Sequence, residues 1–237
     1  MKIIAHRGYS GKYPEMTRSA FRAALELPIH GIECDVRLSK DGVLLCHHDR
    51  TMVRVAGSRR IVSCTDAGVL AQMNIGTDEN PEYPLTLDEL IEMVLEYDDK
   101  HLYIEAKHPQ ISSVMVEEQI LLRLQYFGLL DDPRFHYITF SHSALRRMWR
   151  KAPQLDRIYL RRDWEFRLKR EGFGFAHPSA WGLSLLSAKL SPRFMSTGHP
   201  TYLFTVNDPE DMRWAAAHGA EMLATDYPER ALKVLGQ

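Results

Sequence analysis

Eight short, β-rich apolar runs recur along the chain, each separated from the next by a helical or turn-rich stretch. No other feature of the sequence constrains the fold as strongly. The runs are Lys2–Ala5, Gly31–Val36, His101–Ala106, Phe135–Phe140, Arg157–Leu160, Trp181–Leu186, Tyr202–Val206 and Glu221–Ala224. Helix signals fall between them. A Thr86-x-x-Glu89 capping box precedes Leu87, Leu90, Ile91, Val94 and Leu95, which repeat at helical spacing. Asp208 offers an N-cap, Pro209 a first helical position, Glu210 and Asp211 an acidic first turn, and Gly219 a C′ residue. Thr17 is placed to cap a helix through Ala20, Phe21, Ala24 and Leu25. Strand–helix alternation repeated eight times in 237 residues predicts a (β/α)8 TIM barrel, with a doubly wound open sheet as the competitor. One irregularity follows the second strand. Ser39-Lys40-Asp41-Gly42 turns into Val43–His47, a small hairpin, and residues 49–84 then form a polar, turn-rich excursion over the barrel mouth. No linker or repeat divides the chain, so residues 1–237 are expected to form a single domain.

Composition narrows the class of protein. With 45% apolar residues the chain can bury a sizeable core, and 30 Lys+Arg against 31 Asp+Glu leave a formal charge of −1. That balance argues against a nucleic-acid partner. No apolar run approaches the roughly 20 residues that span a bilayer. Met1–His6 has too short an apolar stretch for a secretory leader. Cys34, Cys46 and Cys64 supply neither a disulfide framework nor a CxxC metal pattern. A cytoplasmic protein, not inserted in membranes, is expected.

Period-two alternation places Glu33 and Asp35 on one face of the second strand, with Cys34 opposite, and Glu105 and Lys107 on one face at the end of the third. His6 ends the first strand and His48 closes the hairpin strand, whereas His47 points the other way. In a (β/α)8 barrel all these strand ends meet at one mouth. Three carboxylates gathered in a partly desolvated place repel one another unless a cation joins them. An all-oxygen set favours a hard ion, Mg²⁺ or Ca²⁺. With Arg7 and Lys107 beside it, such a pocket suits an anion, and a phosphate oxygen fits best. Two histidines nearby suit general acid–base work. Taken singly, each residue has an ordinary structural reading; the argument rests on their common phase. Seven other histidines (His30, His101, His136, His142, His177, His199 and His218) follow no pattern. The basic residues Arg146-Arg147, Arg150-Lys151 and 157–162 read as a solvated face, with attraction of phosphate head groups as the lesser alternative. Neither a G-x-S-x-G elbow nor a Walker loop nor H-E-x-x-H occurs, and Gly172-Phe173-Gly174 lacks the third glycine of a dinucleotide fingerprint.

These residues resemble the glycerophosphodiester phosphodiesterase family. Ala5-His6-Arg7-Gly8 resembles its opening H-R-G, and Pro14-Glu15-Met16-Thr17 its P-E-N-T. Glu33-Cys34-Asp35 resembles its E-x-D strand, Asp41-Gly42 with His48-Asp49 its D-G…H-D hairpin, and Arg54 a following arginine. Glu105-Ala106-Lys107-His108-Pro109 resembles E-x-K, and Phe140-Ser141 opens the next loop as in the family. Thr205-Val206-Asn207, Gly219-Ala220 and Thr225-Asp226-Tyr227-Pro228 resemble the closing segments. The resemblance implies a (β/α)8 barrel that hydrolyses glycerophosphodiesters to glycerol phosphate and an alcohol with a divalent metal, within lipid and glycerol metabolism. It implies Glu33, Asp35 and Glu105 as metal ligands, His6 as general base and His48 as general acid. Arg7 and Lys107 would contact phosphate, with Glu15 supporting the site. The departures are Met16 for the usual Asn, Val55-Ala56 for two threonines, and Phe204 for a Trp. Met16 and Phe204 are thereby candidates for shaping the substrate pocket. Alternative readings are a sphingomyelinase D-like or phosphoinositide-cleaving phosphodiesterase, a noncatalytic barrel binding phosphate ligands, and a metal-dependent sugar isomerase.

Overall fold

The computed structural model describes residues 1–108, 113–163, 165, 177–195 and 199–237; Pro109 and Gly172–Gly174 lie outside the described residues. Its strands are β1 (Lys2–His6), β2 (Gly31–Leu38), β3 (Leu44–Cys46), β4 (His101–Ala106), β5 (Phe135–Thr139), β6 (Asp156–Leu160), β7 (Ala180–Ser184), β8 (Thr201–Phe204) and β9 (Met222–Thr225). Eight of them pair in parallel, and β1 pairs with both β2 and β9, closing the sheet into a barrel. β3 lies outside the ring, antiparallel to the end of β2, with Val36 opposite Cys46. The helices are α1 (Arg18–Leu25), α2 (Val53–Ala56), α3 (Ala67–Leu70), α4 (Leu87–Leu95), α5 (Ser113–Tyr126), α6 (His142–Lys151), α7 (Leu185–Leu190), α8 (Pro209–Ala217) and α9 (Pro228–Leu235).

The alternation of side chains sorts the core into two shells. Ile32, Cys34, Val36 and Leu38 of β2 pack outward against the helices, as do Ile3 and Ala5 of β1 and Leu102, Ile104 and Ala106 of β4. Ile4, Tyr103, Ile138, Ile158, Tyr202 and Ala224 fill the barrel interior. Each large side chain buried in this way contributes about 1.5–3 kcal/mol. The caps work as the sequence predicts. The Thr17 hydroxyl accepts from Ala20 N at 3.2 Å, Thr86 and Glu89 form a reciprocal capping box, and Asp208 accepts from Glu210 N at 2.8 Å.

Three expectations need correction. The sixth barrel strand, β7, ends at Ser184, not Leu186, because the Ser184 hydroxyl caps α7 through Ser187 N; the seventh, β8, ends at Phe204 rather than Val206. The excursion carries α2, α3 and an apolar cluster of Leu45, Met52, Val62, Leu70 and Ile75. Helices of four residues are too short to print a 3.6-residue period. Arg157 and Arg161 are not solvated; they are 6% and 2% exposed. Arg157 Nη1 donates to the carbonyls of Ala152 and Pro153 at 3.2 and 3.0 Å, and Nη2 to that of His177 at 3.3 Å, so most of its donors find acceptors within the fold. No helix among the described residues is long and apolar enough to cross a membrane.

Candidate active site

Register builds the site. His6 pairs with Glu33 across β1–β2, and Asp35 with Glu105 across β2–β4, so four candidate site side chains face the interior at one end of three adjacent strands. Glu33, Asp35 and Glu105 are 1%, 0% and 6% exposed, and their oxygens approach within 4.8 Å of one another. At that spacing each carboxylate pair repels by about 3–4 kcal/mol at an effective dielectric constant of 20. Two cations offset part of this. Lys107 Nζ lies 2.7 Å from Asp35 Oδ1 and 2.6 Å from Glu105 Oε1, and Arg7 Nε lies 3.0 Å from Asp35 Oδ2.

The three acids respond differently. Burial acts against ionised Asp35, but Lys107 and Arg7 outweigh it and hold the group below its ordinary range. Burial drives Glu33 well upward, and the neighbouring charges of Asp35 and Glu105 add to it. Burial also lifts Glu105 to about 7, despite Lys107. Glu33 Oε2 accepts from the Arg7 backbone N–H at 3.1 Å, while its buried Oε1 has no hydrogen-bond partner among the described residues. An orphaned oxygen beside two further buried carboxylates, all within reach of one another, fits a hard divalent ion.

Both site histidines are held by carboxylates. His6 Nδ1–H donates to Asp226 Oδ1 at 2.7 Å, leaving Nε2 4.0 Å from Glu33 Oε2. Asp226 is fixed in turn by the Ser10 hydroxyl at 3.0 Å and by Asn207 Nδ2–H at 2.6 Å. His48 Nδ1–H donates to Asp49 Oδ1 at 2.7 Å. Burial and the charge of Lys107 lower its basicity. Arg54 bridges the excursion to the first loop: Nε donates to Asp49 Oδ2 at 2.6 Å, and Nη1 and Nη2 to the two oxygens of Glu15 at 2.7 Å each. Glu15 also accepts from Arg7 Nη1 at 3.2 Å. His47 turns away, with Nε2–H donating to Thr51 O at 3.1 Å. Phe204 meets Phe140 edge-on with ring centroids 5.5 Å apart.

The first loop bends sharply to make these contacts. Arg7 has φ 59°, which aims its N–H at Glu33, and Gly8 has φ 75° where a Cβ would lie 2.8 Å from the Ala20 carbonyl carbon. Glycine is therefore demanded at the third position of H-R-G. Met16 has φ 56°, a left-handed conformation in which Asn is the more comfortable side chain, giving a physical reason for the asparagine it replaces. Asp226 and Asp49 were not singled out as site residues by spacing. The signal lay in plain view, in an acid next to His48 and in an Asp at the end of the last strand.

The structure also gathers His30, His101 and His136 at the opposite end of the barrel, where the sequence shows no pattern. His101 Nδ1 lies 2.8 Å from His136 Nε2, His136 Nδ1 lies 3.2 Å from Asp156 Oδ2, and the His30 and His101 rings stack at 3.8 Å. Burial and mutual charge lower His30 to about 3 and His101 to about 4.

A closed (β/α)8 barrel carrying acids and histidines at its strand ends defines a broad class of enzymes. Comparison with known proteins narrows it. The model of the glycerophosphoryl diester phosphodiesterase family matches residues 6–230. A Mycobacterium tuberculosis protein described as probable glycerophosphodiester phosphodiesterase 1 is 30% identical over 247 residues, covering 96% of this chain and 90% of that one. A glycerophosphodiester phosphodiesterase of Bacillus altitudinis is 28% identical, covering 98% and 97%. Among solved structures, an Oleispira antarctica phosphodiesterase in complex with the product sn-glycerol-3-phosphate superposes with a TM-score of 0.91 at 23% identity, covering 100% of this chain and 97% of that one. The chain belongs to the glycerophosphoryl diester phosphodiesterase family. It is a phosphoric diester hydrolase.

Proposed function

We propose that this enzyme cleaves glycerophosphodiesters to glycerol phosphate and an alcohol, with His6 as general base and His48 as general acid. The observation that carries this reading is that each histidine has its Nδ1 fixed by a carboxylate, leaving Nε2 for proton transfer beside a buried cluster of acids. Glu33, Asp35 and Glu105 would hold a divalent ion, Mg²⁺ or Ca²⁺, which when bound supplies positive charge for the phosphate oxygens. His6 Nε2 takes the proton of the attacking oxygen, of water directly or of the substrate's own hydroxyl with water then opening the cyclic phosphate, as that oxygen bonds to phosphorus, and Asp226 stabilises the imidazolium that results. His48 gives a proton to the departing alkoxide oxygen, with Asp49 steadying the ring. Its lowered basicity makes it a stronger acid once charged. Arg7 and Lys107 draw the phosphate in, Glu15 braces Arg7 and Arg54, and Phe204 with Phe140 walls the substrate. The substrate is a small molecule, with neither nucleic acid nor stable membrane insertion involved. Residues 1–237 act as one catalytic domain. Its three free cysteines suit a reducing compartment, and we assign it to the cytoplasm.

Release of glycerol phosphate from a panel of glycerophosphodiesters, with and without each metal, tests the reading. His6→Ala and His48→Ala are each expected to reduce turnover by roughly 10²–10⁴-fold with the fold intact. Full activity in a strong chelator removes the metal from the reaction, and an unchanged rate in either variant removes that histidine.

A further inference from the structure

A cleft of about 330 Å³ opens beside the acid cluster, walled by Arg37, His48, Glu105, Lys107, Phe140 and Arg162. His48 is in this lining and His6 is not, so on the proposed roles the cleft receives the leaving alcohol. Its cations are unequally satisfied. Lys107 is held between Asp35 and Glu105, whereas the half-buried Arg37 forms no ion pair among the described residues. Arg37 Nε donates to the His48 carbonyl at 2.7 Å, and the other guanidinium nitrogens remain available to the cleft. Arg162 stands in the same cleft, half exposed, with Nη1 3.6 Å from Glu165 Oε1. A partly desolvated guanidinium without a carboxylate is costly unless an anion completes it. The site offers that anion a defined distance. Arg37 shares its strand face with Asp35 and lies two residues further out, about 7 Å along β2. That matches the reach of a three-carbon bridge between two phosphate esters.

We propose that Arg37, with Arg162 beside it, forms a subsite for an anionic group on the leaving alcohol, so that the favoured substrates are glycerophosphodiesters whose alcohol itself carries a second phosphate. This rests on the hydrolytic reading above and on the assignment of His48 to the leaving-group side.

The test compares kcat/KM for bis(glycerophospho)glycerol, glycerophosphoglycerol and glycerophosphocholine, whose leaving alcohols are anionic, neutral and cationic. The anionic alcohol is expected to be preferred over the cationic one by at least about tenfold, and the preference should shrink with added salt. Because Arg37 also steadies His48, the readout for Arg37→Met is the ratio between substrates, expected to collapse to within about threefold. Arg162→Gln, which leaves the His48 contact intact, should reduce the ratio partly. Equal or better use of glycerophosphocholine overturns the subsite, as does an Arg37→Met variant that slows all three substrates alike. If no diester is turned over, the hydrolytic reading fails on its own. Calorimetric titration of the same three compounds then decides the subsite, and equal affinities overturn it.

Discussion

Replacing Asp226 by Asn isolates how His6 is held. Both carboxylate oxygens of Asp226 only accept: Oδ1 takes His6 Nδ1–H at 2.7 Å and the Ser10 hydroxyl at 3.0 Å, and Oδ2 takes Asn207 Nδ2–H at 2.6 Å. The Asn207 orientation is fixed independently, since its Oδ1 accepts from the Asp226 backbone N–H at 2.9 Å and the Thr225 hydroxyl at 3.1 Å. An amide at position 226 must therefore choose. With its NH₂ towards Asn207, two donors face each other, at about 1–3 kcal/mol. With its NH₂ towards His6, Nδ1 becomes the acceptor, the proton moves to Nε2, and the base is lost. Either outcome also removes the negative charge that stabilises the imidazolium. Loss of one correctly oriented base corresponds to a fall in kcat of about 10²–10⁴-fold, or about 2.7–5.4 kcal/mol of barrier. The assay is steady-state release of glycerol phosphate across pH 5–9, with circular dichroism confirming the fold. In a His6→Ala background the same substitution should cost almost nothing further. An Asp226→Asn enzyme within threefold of wild type, or one whose loss simply adds to that of His6→Ala, refutes the argument.

Two further outcomes concern stability rather than turnover. In the unfolded chain His101 protonates below its ordinary value of 6.5, but in the folded barrel only near 4. Stability is therefore retained above pH 6.5 and lost as pH falls towards 4, by about 2–3 kcal/mol for this group after allowance for partial exposure. His101→Gln should narrow the stability gap between pH 7 and pH 4.5 in urea titrations, and an unchanged gap rejects this account. Gly8→Ala places a Cβ 2.8 Å from the Ala20 carbonyl carbon at φ 75°. A loss of at least about 2 kcal/mol is expected, or roughly 4–8 °C in Tm, and an unshifted melting curve rules the clash out.

The barrel was legible because each strand–helix unit carries its own local signature. Thr86 with Glu89 and Asp208 with Pro209 announce helices whatever lies around them. The facing of Glu33, Asp35, Glu105 and Lys107 was legible too, since strand alternation needs only spacing. What escaped depends on distance along the chain. His6 and Asp226 lie 220 residues apart, and their bond exists only because β1 and β9 close the ring. His30, His101 and His136 are likewise joined only through the pairing of β2, β4 and β5. Arg157 misled for a related reason: within a run of basic residues it looks like surface until its guanidinium is seen donating to the carbonyls of Ala152, Pro153 and the distant His177.

The pairing of Asp35 with Glu105 and of His6 with Glu33 bears on how such a protein tolerates lineage-to-lineage change in length. A single-residue deletion before Glu33 within β2 would turn Cys34 and Val36 to the interior and send both acids into the apolar shell. Insertions there are effectively forbidden. Between β3 and α4 the chain makes its own small apolar cluster, joined to the reaction centre by Arg54 and Asp49. That stretch can gain or lose residues while the ring stays in frame, and it is where relatives would be expected to diverge most in length and in the shape of the entrance.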